Sequence, residues 1–316
     1  MNKEFDYIVI GAGIAGCCLA YFLSKYSKSI LLIDRNSQVA FGASGAAGAF
    51  LSPLLGKPND FKDLVTKSLI FSTNFYKNLG EELVSNCGVC RIPKNEEDRD
   101  KFESYKPYMD FKYTQMDDGY FFEIGSQVTP SLICEKLTKD IEKKLSYNVE
   151  KLEQNQDSTW IINDEICAKN IILTTGADVK HIKEDYFDIR GVWGQKIDVS
   201  TTTETKINYH KECSVSKASK IEGSDLYKVS IGATHHKFNC DKNICNYCIE
   251  TANINACSRC YNDSIINSDS LKLIALANDI IKLENVDVID VKIGARAASN
   301  DYFPMLGVLK KKKKSI

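Results

Sequence analysis

Tyr7 to Ile10 (YIVI) runs without a break into Gly11-Ala12-Gly13-Ile14-Ala15-Gly16, and no other stretch constrains the fold so tightly. The apolar run reads as a strand, and CCLAYFLSKY after the glycines reads as a helix. Ser29 to Ile33 (SILLI) is a second short strand, closed by Asp34. Strand, G-x-G-x-x-G, helix, strand and acid, in that order, build a dinucleotide site. Gly11 makes the tight turn, Gly13 lets the backbone approach a pyrophosphate, and Gly16 lets helix and strand pack closely. Amides of the first turn, Ile14 and Ala15 among them, face the phosphates, and Asp34 accepts ribose hydroxyls.

Two further pieces narrow the dinucleotide. Asp34-Arg35 is followed by GASGAAGAFLSP, Gly42 to Pro53, a second small-residue loop that includes Ala43, Ser44 and Gly45. Such a loop crosses back over FAD in flavoprotein oxidases and leads into a long helix. Here a helix is expected from Asn59 or Asp60, with Phe61, Leu64, Val65, Phe71, Phe75 and Leu79 as its apolar stripe. Tyr147 to Asp178, which contains Val149, reads as strand, turn, strand, turn, strand and ends in Thr174-Thr175-Gly176-Ala177. An apolar strand closing on a small-residue turn is a second return to a cofactor; a plain β-meander is the alternative.

Together these motifs resemble the D-amino-acid oxidase and glycine oxidase superfamily, and most of all the oxidase domain of the MnmC-type tRNA-modification family. The resemblance rests on GAGIAG, GASGAAGAFLSPLL, GSQVTPSLIC, IILTTGAD, IRGVWGQ, VSIGATH and IGARAASNDYFPMLG, spread over nearly the whole chain. It implies FAD bound by Gly11, Gly13, Ile14, Ala15, Gly16, Asp34, Arg35, Ala43, Ser44, Gly45, Val149, Thr175 and Gly176. It implies a tRNA substrate whose wobble uridine carries a 5-carboxymethylaminomethyl group, which is a glycine with a nucleoside on its nitrogen. Oxidation moves a hydride to the flavin, and the imine hydrolyses to glyoxylate and the aminomethyl form. Arg296 stands where the family places a carboxylate clamp, suited to the guanidinium fork. No methyltransferase half is present, so such a partner would be a separate chain.

The resemblance also sets an expectation for the chain's end. In the family a further strand, turn and helix follow the position of Leu306-Gly307; here KKKKKSI follows shortly. The expectation is a truncated chain with impaired FAD binding, and the alternative is a basic arm on tRNA phosphates. Cys245-x2-Cys248 and Cys257-x2-Cys260 supply four thiolates, enough for a structural zinc site, against four reduced cysteines in a loop. Cys87-x2-Cys90, Cys17 and Cys18 read as packing residues.

The expected fold is α/β: a Rossmann-like FAD-binding domain with a second, mostly antiparallel α+β substrate domain. The first takes residues 1–79, 123–189 and 289–309. The second takes 80–122 and 190–288, with a Cys-rich insertion at 236–262 and a helix over Leu271 to Leu283; 310–316 is the basic tail. A net charge of -1 means that any nucleic-acid contact comes from a local patch. No apolar run is long enough for a membrane span, and no signal peptide opens the chain, so a cytoplasmic setting without a membrane is expected. An oxidase of free glycine, sarcosine or D-amino acids is the second reading, and an inactive remnant the third.

Overall fold

Ile8 and Val9 of β1 (Glu4–Ile10) are wholly buried on opposite faces, because β1 lies inside the first sheet with core on both sides. The computed structural model describes residues 4–179, 181–182, 189–236 and 261–309. After β1, the elements that position the site are α1 (Ile14–Leu23), β2 (Ile30–Ile33), α2 (Ala43–Ala46), α3 (Asp60–Leu79), β3 (Val89–Arg91), α4 (Glu96–Tyr105) and α5 (Pro130–Leu137). Then come β4 (Ile166–Leu173), β5 (Arg190–Thr201), β6 (Asn208–His210), β7 (Tyr227–Gly232), α6 (Asp263–Asn278) and β8 (Asp287–Ala298).

β1 pairs in parallel with β2 on one side and β4 on the other, so that Ile33, Ile10 and Leu173 end in line. Glu142–Lys144 extends the sheet beyond β2. Trp160–Ile162 and Leu152–Gln154 extend it beyond β4 as an antiparallel meander, the predicted three-strand return. On one face Val9, Leu32, Cys17, Ala20 and Ile133 pack together, joining α1 and α5 to the sheet. On the other, Phe5, Ile8, Leu31, Ile33 and Ile162 form a second cluster. Each aliphatic chain buried this way contributes about 1.5–3 kcal/mol.

The second sheet has nine strands, all but one pairing antiparallel. β8 runs along β5 from Arg190↔Ala298 to Ser200↔Asp287, with β7 on the far side of β5. Further along, β6 pairs in parallel with β3, which sets His210 beside Arg91. α6 covers one face through Leu273 and Ala277, packed on Ile197, Val199, Val229 and Ile231. The two sheets make the mixed α/β architecture expected from the sequence. The sequence-drawn limits assign 289–309 to the dinucleotide-binding part; β8 hydrogen-bonds in the larger sheet, while its Gly294 abuts α2.

Two helices differ from expectation. α6 starts eight residues before Leu271, where the Asn262 side chain accepts the Ile265 amide at 3.1 Å, and ends at Asn278 rather than Leu283. α3 begins as predicted, with the Asn59 side chain accepting the Lys62 amide at 2.9 Å. Its buried positions, however, are Lys62, Leu69 and Thr73, and Phe71 is 60% exposed. Lys62 is tolerated inside because it donates to the Tyr108 carbonyl and pairs with Asp110 at 2.9 Å.

Candidate functional site

β1, β2 and β4 end at one edge of the first sheet, and the glycine turn closes over it. Gly11 has φ +108°, and a Cβ there would strike the Thr174 carbonyl at the end of β4. A Cβ on Gly16 would strike the Gly11 carbonyl. Thr174 locks the turn, its hydroxyl donating to the Gly11 carbonyl at 2.8 Å. Gly13 precedes α1 without a side-chain cap, and the Ile14 amide donates instead to Ser44 Oγ at 2.9 Å. This contact brings Ala43, Ser44 and Gly45 of α2 against the N-terminal turn that holds Ile14, Ala15 and Gly16.

Asp34 ties the same edge together. Its Oδ2 accepts the Ala12 amide at 2.6 Å, and its Oδ1 accepts the backbone and side-chain N–H groups of Asn36 at 2.8 Å each. The Tyr147 amide donates to the Asp34 carbonyl, which draws the segment leading to Val149 alongside. Val149 is buried in the second core cluster, and its carbonyl is 3.0 Å from His181 Nε2. Arg35 pairs with Asp178 at 2.9 Å, joining the end of β2 to the turn that carries Thr175 and Gly176. Thr175 donates to the Asp178 carbonyl, and Gly176 has φ +63° with open space where a Cβ would lie. Twelve of the thirteen residues expected to hold the cofactor thus lie at the ends of β1, β2 and β4, in the first turn of α1 and in α2, along one edge; Val149 lies in the loop before Leu152–Gln154 with its side chain in the core. Glycines that side chains would block, a helix N-terminus and an acid with oxygens turned to the loop fit a dinucleotide.

A cavity of about 540 Å³ opens from this edge toward the second sheet. Ile14 and Ser44 line one side; Gly294, Arg296, His210 and His235 line the other. Gly294 lets β8 approach α2 closely. Gly194, its partner on β5, leaves room for Arg296, since a Cβ there would lie 2.9 Å from Nη1. Arg296 donates from Nη1 to the Thr234 carbonyl at 3.4 Å and has no carboxylate within 4 Å among the described residues. Burial alone lowers its pKa.

Behind Arg296 stands a buried polar cluster. The Thr234 hydroxyl donates to Asp269 at 2.9 Å and accepts the Gln195 amide at 3.0 Å. Asp269 also receives Tyr261 Oη and, at 2.8 Å, His236 Nε2. Burial pushes the Asp269 carboxyl up, but the bonds from Tyr261, Thr234 and His236 hold it below its ordinary value. Burial, then the charges of Arg91 and Lys94, bring His210 down to about 3. Burial, then the Arg296 charge, lowers His235 as well. Both imidazoles are therefore neutral at pH 7.

The sequence reading did not single out His210, and it carried Gly194, Thr234 and His235 only inside the IRGVWGQ and VSIGATH motifs, without a role in the site. Gly194 and Gly294 left a local signal, as isolated glycines within strands. Cys245, Cys248, Cys257 and Cys260 lie outside the described residues. Among the described residues no group of three or more His, Cys, Asp or Glu is placed to hold a metal. Cys17 and Cys90 are buried, and burial raises Cys18 and Cys90 to about 11, so these thiols are packing residues as expected. No helix among the described residues is long and apolar enough to cross a membrane.

Comparison with known proteins agrees with this geometry. The tRNA 5-methylaminomethyl-2-thiouridine biosynthesis bifunctional protein MnmC of Legionella pneumophila (strain Lens) is 26% identical over 98% of this chain and 46% of its own length. The protein of the same name from Campylobacter fetus is 21% identical over 98% of the chain and 48% of its own length. The chain thus spans about half the length of the curated relatives it matches. Among solved structures, glycine oxidase from Geobacillus kaustophilus superposes with a TM-score of 0.72 at 14% identity, covering 97% of this chain and 86% of that one. Iminodiacetate oxidase from Chelativorans sp. BNC1 gives 0.64 at 17% identity, covering 93% and 84%. The DAO family model, described as FAD dependent oxidoreductase, matches residues 6–309, and the chain belongs to that family of FAD-dependent oxidoreductases.

Proposed function

We propose that this chain oxidises the carboxymethyl group of 5-carboxymethylaminomethyl(-2-thio)uridine at the tRNA wobble position, releasing glyoxylate. The observation that carries the reading is Arg296: a half-buried guanidinium in the cavity beside the glycine turn, with no carboxylate within 4 Å among the described residues, Glu212 being the one acid elsewhere on the described lining. A half-buried cation without a counter-charge is costly, and a substrate carboxylate supplies that charge through two parallel hydrogen bonds. The name of the relatives supports the tRNA part, since they match the chain over 95–98% of its length.

Gly11 to Gly16, Asp34-Arg35, Ala43 to Gly45, Val149 and Thr175-Gly176 would hold FAD, which when bound supplies the two-electron hydride acceptor. The chain's own contribution is positional. Arg296 fixes the carboxylate and with it the adjacent α-carbon; Gly194 and the Thr234 carbonyl fix Arg296. The Arg296 charge disfavours a second positive charge nearby, which holds the substrate amine neutral, as hydride loss from the α-carbon requires. Neutral His210 and His235 add no competing charge. The carbon loses a hydride and the nitrogen its proton. Water then adds to the C=N bond, which breaks to glyoxylate and the aminomethyl nucleoside. A tRNA substrate fits a cytoplasmic setting.

The test compares glyoxylate release from tRNA bearing the carboxymethylaminomethyl group with release from free glycine and sarcosine. Release from tRNA at a kcat/KM at least a hundredfold above that for the free amines supports the assignment. Efficient release from the free amines alone makes the chain a small-amine oxidase, a reading that the net charge of -1 favours. A folded chain that binds no flavin is the inactive form.

A further inference from the structure

We propose that a second, cationic cavity beside His210, lined by Arg91, Lys94 and Lys211, binds a phosphate group of the substrate. The inference rests on the tRNA reading above only for the source of that phosphate.

The cavity holds about 250 Å³ and lies where β3, β6 and the face of α4 that carries Asp98, Phe102 and Tyr105 meet. The parallel register of β3 and β6 places Arg91 directly beside His210, and Lys211 is the next residue along. His210 lines this cavity and the larger one that holds Arg296, so a ligand spanning both passes His210. That is the layout a modified nucleotide needs: its glycine-like arm toward Arg296, and its phosphate on the other side of the imidazole.

The chemistry of the lining points to an oxyanion. Arg91 Nη1 donates to Ser52 Oγ at 3.3 Å and to the Pro53 carbonyl at 3.1 Å, while its Nε is buried without an acceptor among the described residues. A buried guanidinium donor without a partner is a rare and costly state that an anion relieves. Neither Lys94 nor Lys211 has a carboxylate within 4 Å among the described residues. Asp98 is the one acid on the lining, and its Oδ2 already accepts the Lys94 amide at 3.0 Å. Three cations against one carboxylate leave the cavity with net positive charge, in a chain whose overall charge is -1. Burial lowers Arg91 to about 10 while the Asp98 carboxylate raises it, and burial first, then the Arg91 and Lys94 charges, lower His210. A tetrahedral dianion or phosphodiester, with several acceptor oxygens, matches such a set of donors.

The test uses flavin-loaded wild-type protein, Lys94→Ala/Lys211→Ala and Asp98→Asn. Titration with inorganic phosphate is followed by calorimetry, and tRNA binding is followed across a salt series. We expect the double variant to bind phosphate at least about tenfold more weakly and Asp98→Asn to bind it severalfold more tightly. The slope of log Kd for tRNA against log salt should fall by about 0.7 in the double variant, the share of one single-strand phosphate. Oxidation of a small glycine-type amine without phosphate should be unchanged, because neither lysine lines the Arg296 cavity. Phosphate binding that is equal in all three proteins overturns the proposal. If wild type binds phosphate and the double variant does not, but tRNA is neither bound nor oxidised, the anion site stands and the tRNA assignment fails.

Discussion

Gly294 packs against Ala43: a Cβ on Gly294 would lie 2.7 Å from the Ala43 Cα. This one contact joins the strand that carries Arg296 to the loop that carries Ser44. Gly294 and Arg296 are two residues apart on β8 and so share a face of the strand. Close approach at Gly294 therefore sets how far Arg296 stands from the glycine turn.

Gly294→Ala should push β8 from α2. Overpacking of this kind costs typically 1–3 kcal/mol. The expected result is a Tm lowered by a few degrees and reduced flavin content, read by thermal melts and by the absorbance of released flavin. An unchanged flavin content would mean that β8 relaxes without disturbing the turn.

Arg296→Lys keeps the charge and loses the two-point fork. It should raise KM for a carboxylate substrate and lower kcat/KM by at least about tenfold, and Arg296→Ala by at least about a hundredfold. Flavin content and Tm should hold, because among the described residues the one hydrogen bond of Arg296 is a long one to a carbonyl. Steady-state kinetics with parallel flavin titration check both statements.

Asp34→Ala removes the acceptor for the Ala12 and Asn36 amides. Both donors would be left unpaired, at about 1–3 kcal/mol. The expected outcome is FAD binding weakened by at least about tenfold, measured by titrating apoprotein with FAD. Asp34→Asn, which keeps one acceptor oxygen, should fall between.

His210 gives a pH dependence with a definite sign. Its folded value of about 3 lies below its ordinary 6.5, so the unfolded chain binds the extra proton between the two. The stability linked to neutral His210 is complete above pH 6.5 and is lost as pH falls toward 3. His210→Gln should flatten this part of the acid limb in denaturant melts taken from pH 7 to pH 4.

The dinucleotide edge was legible because its parts are local. Glycine spacing, a helix start and an acid on the next strand lie within the first 34 residues, and each leaves its mark on residue type. The long return through Ile171 to Leu173 was legible for the same reason. Arg296 is different: nothing local distinguishes it from another strand arginine, and it was found only through the family resemblance. His210 was not legible, and Thr234 and His235 stood inside the VSIGATH motif with no role assigned to them. They meet Arg296 through strand pairing across the nine-stranded sheet, and no spacing along the chain records that meeting. α3 misled because it is half exposed: its aromatic residues follow a helical period, yet Phe71 faces solvent and Lys62 is inside, where Asp110 and the Tyr108 carbonyl receive it. α6 misled because its cap, Asn262, sits directly after the Cys-rich stretch and was read as part of it.

Anaerobic reduction of the bound flavin tests the assignment most directly. The flavin-loaded protein is mixed with tRNA carrying the carboxymethylaminomethyl group, and separately with glycine and sarcosine. The assignment predicts full bleaching of the flavin by the tRNA within one turnover, with one glyoxylate per flavin, little bleaching by the free amines, and loss of the tRNA reaction in Arg296→Ala. Bleaching by glycine or sarcosine but not by the tRNA would contradict it.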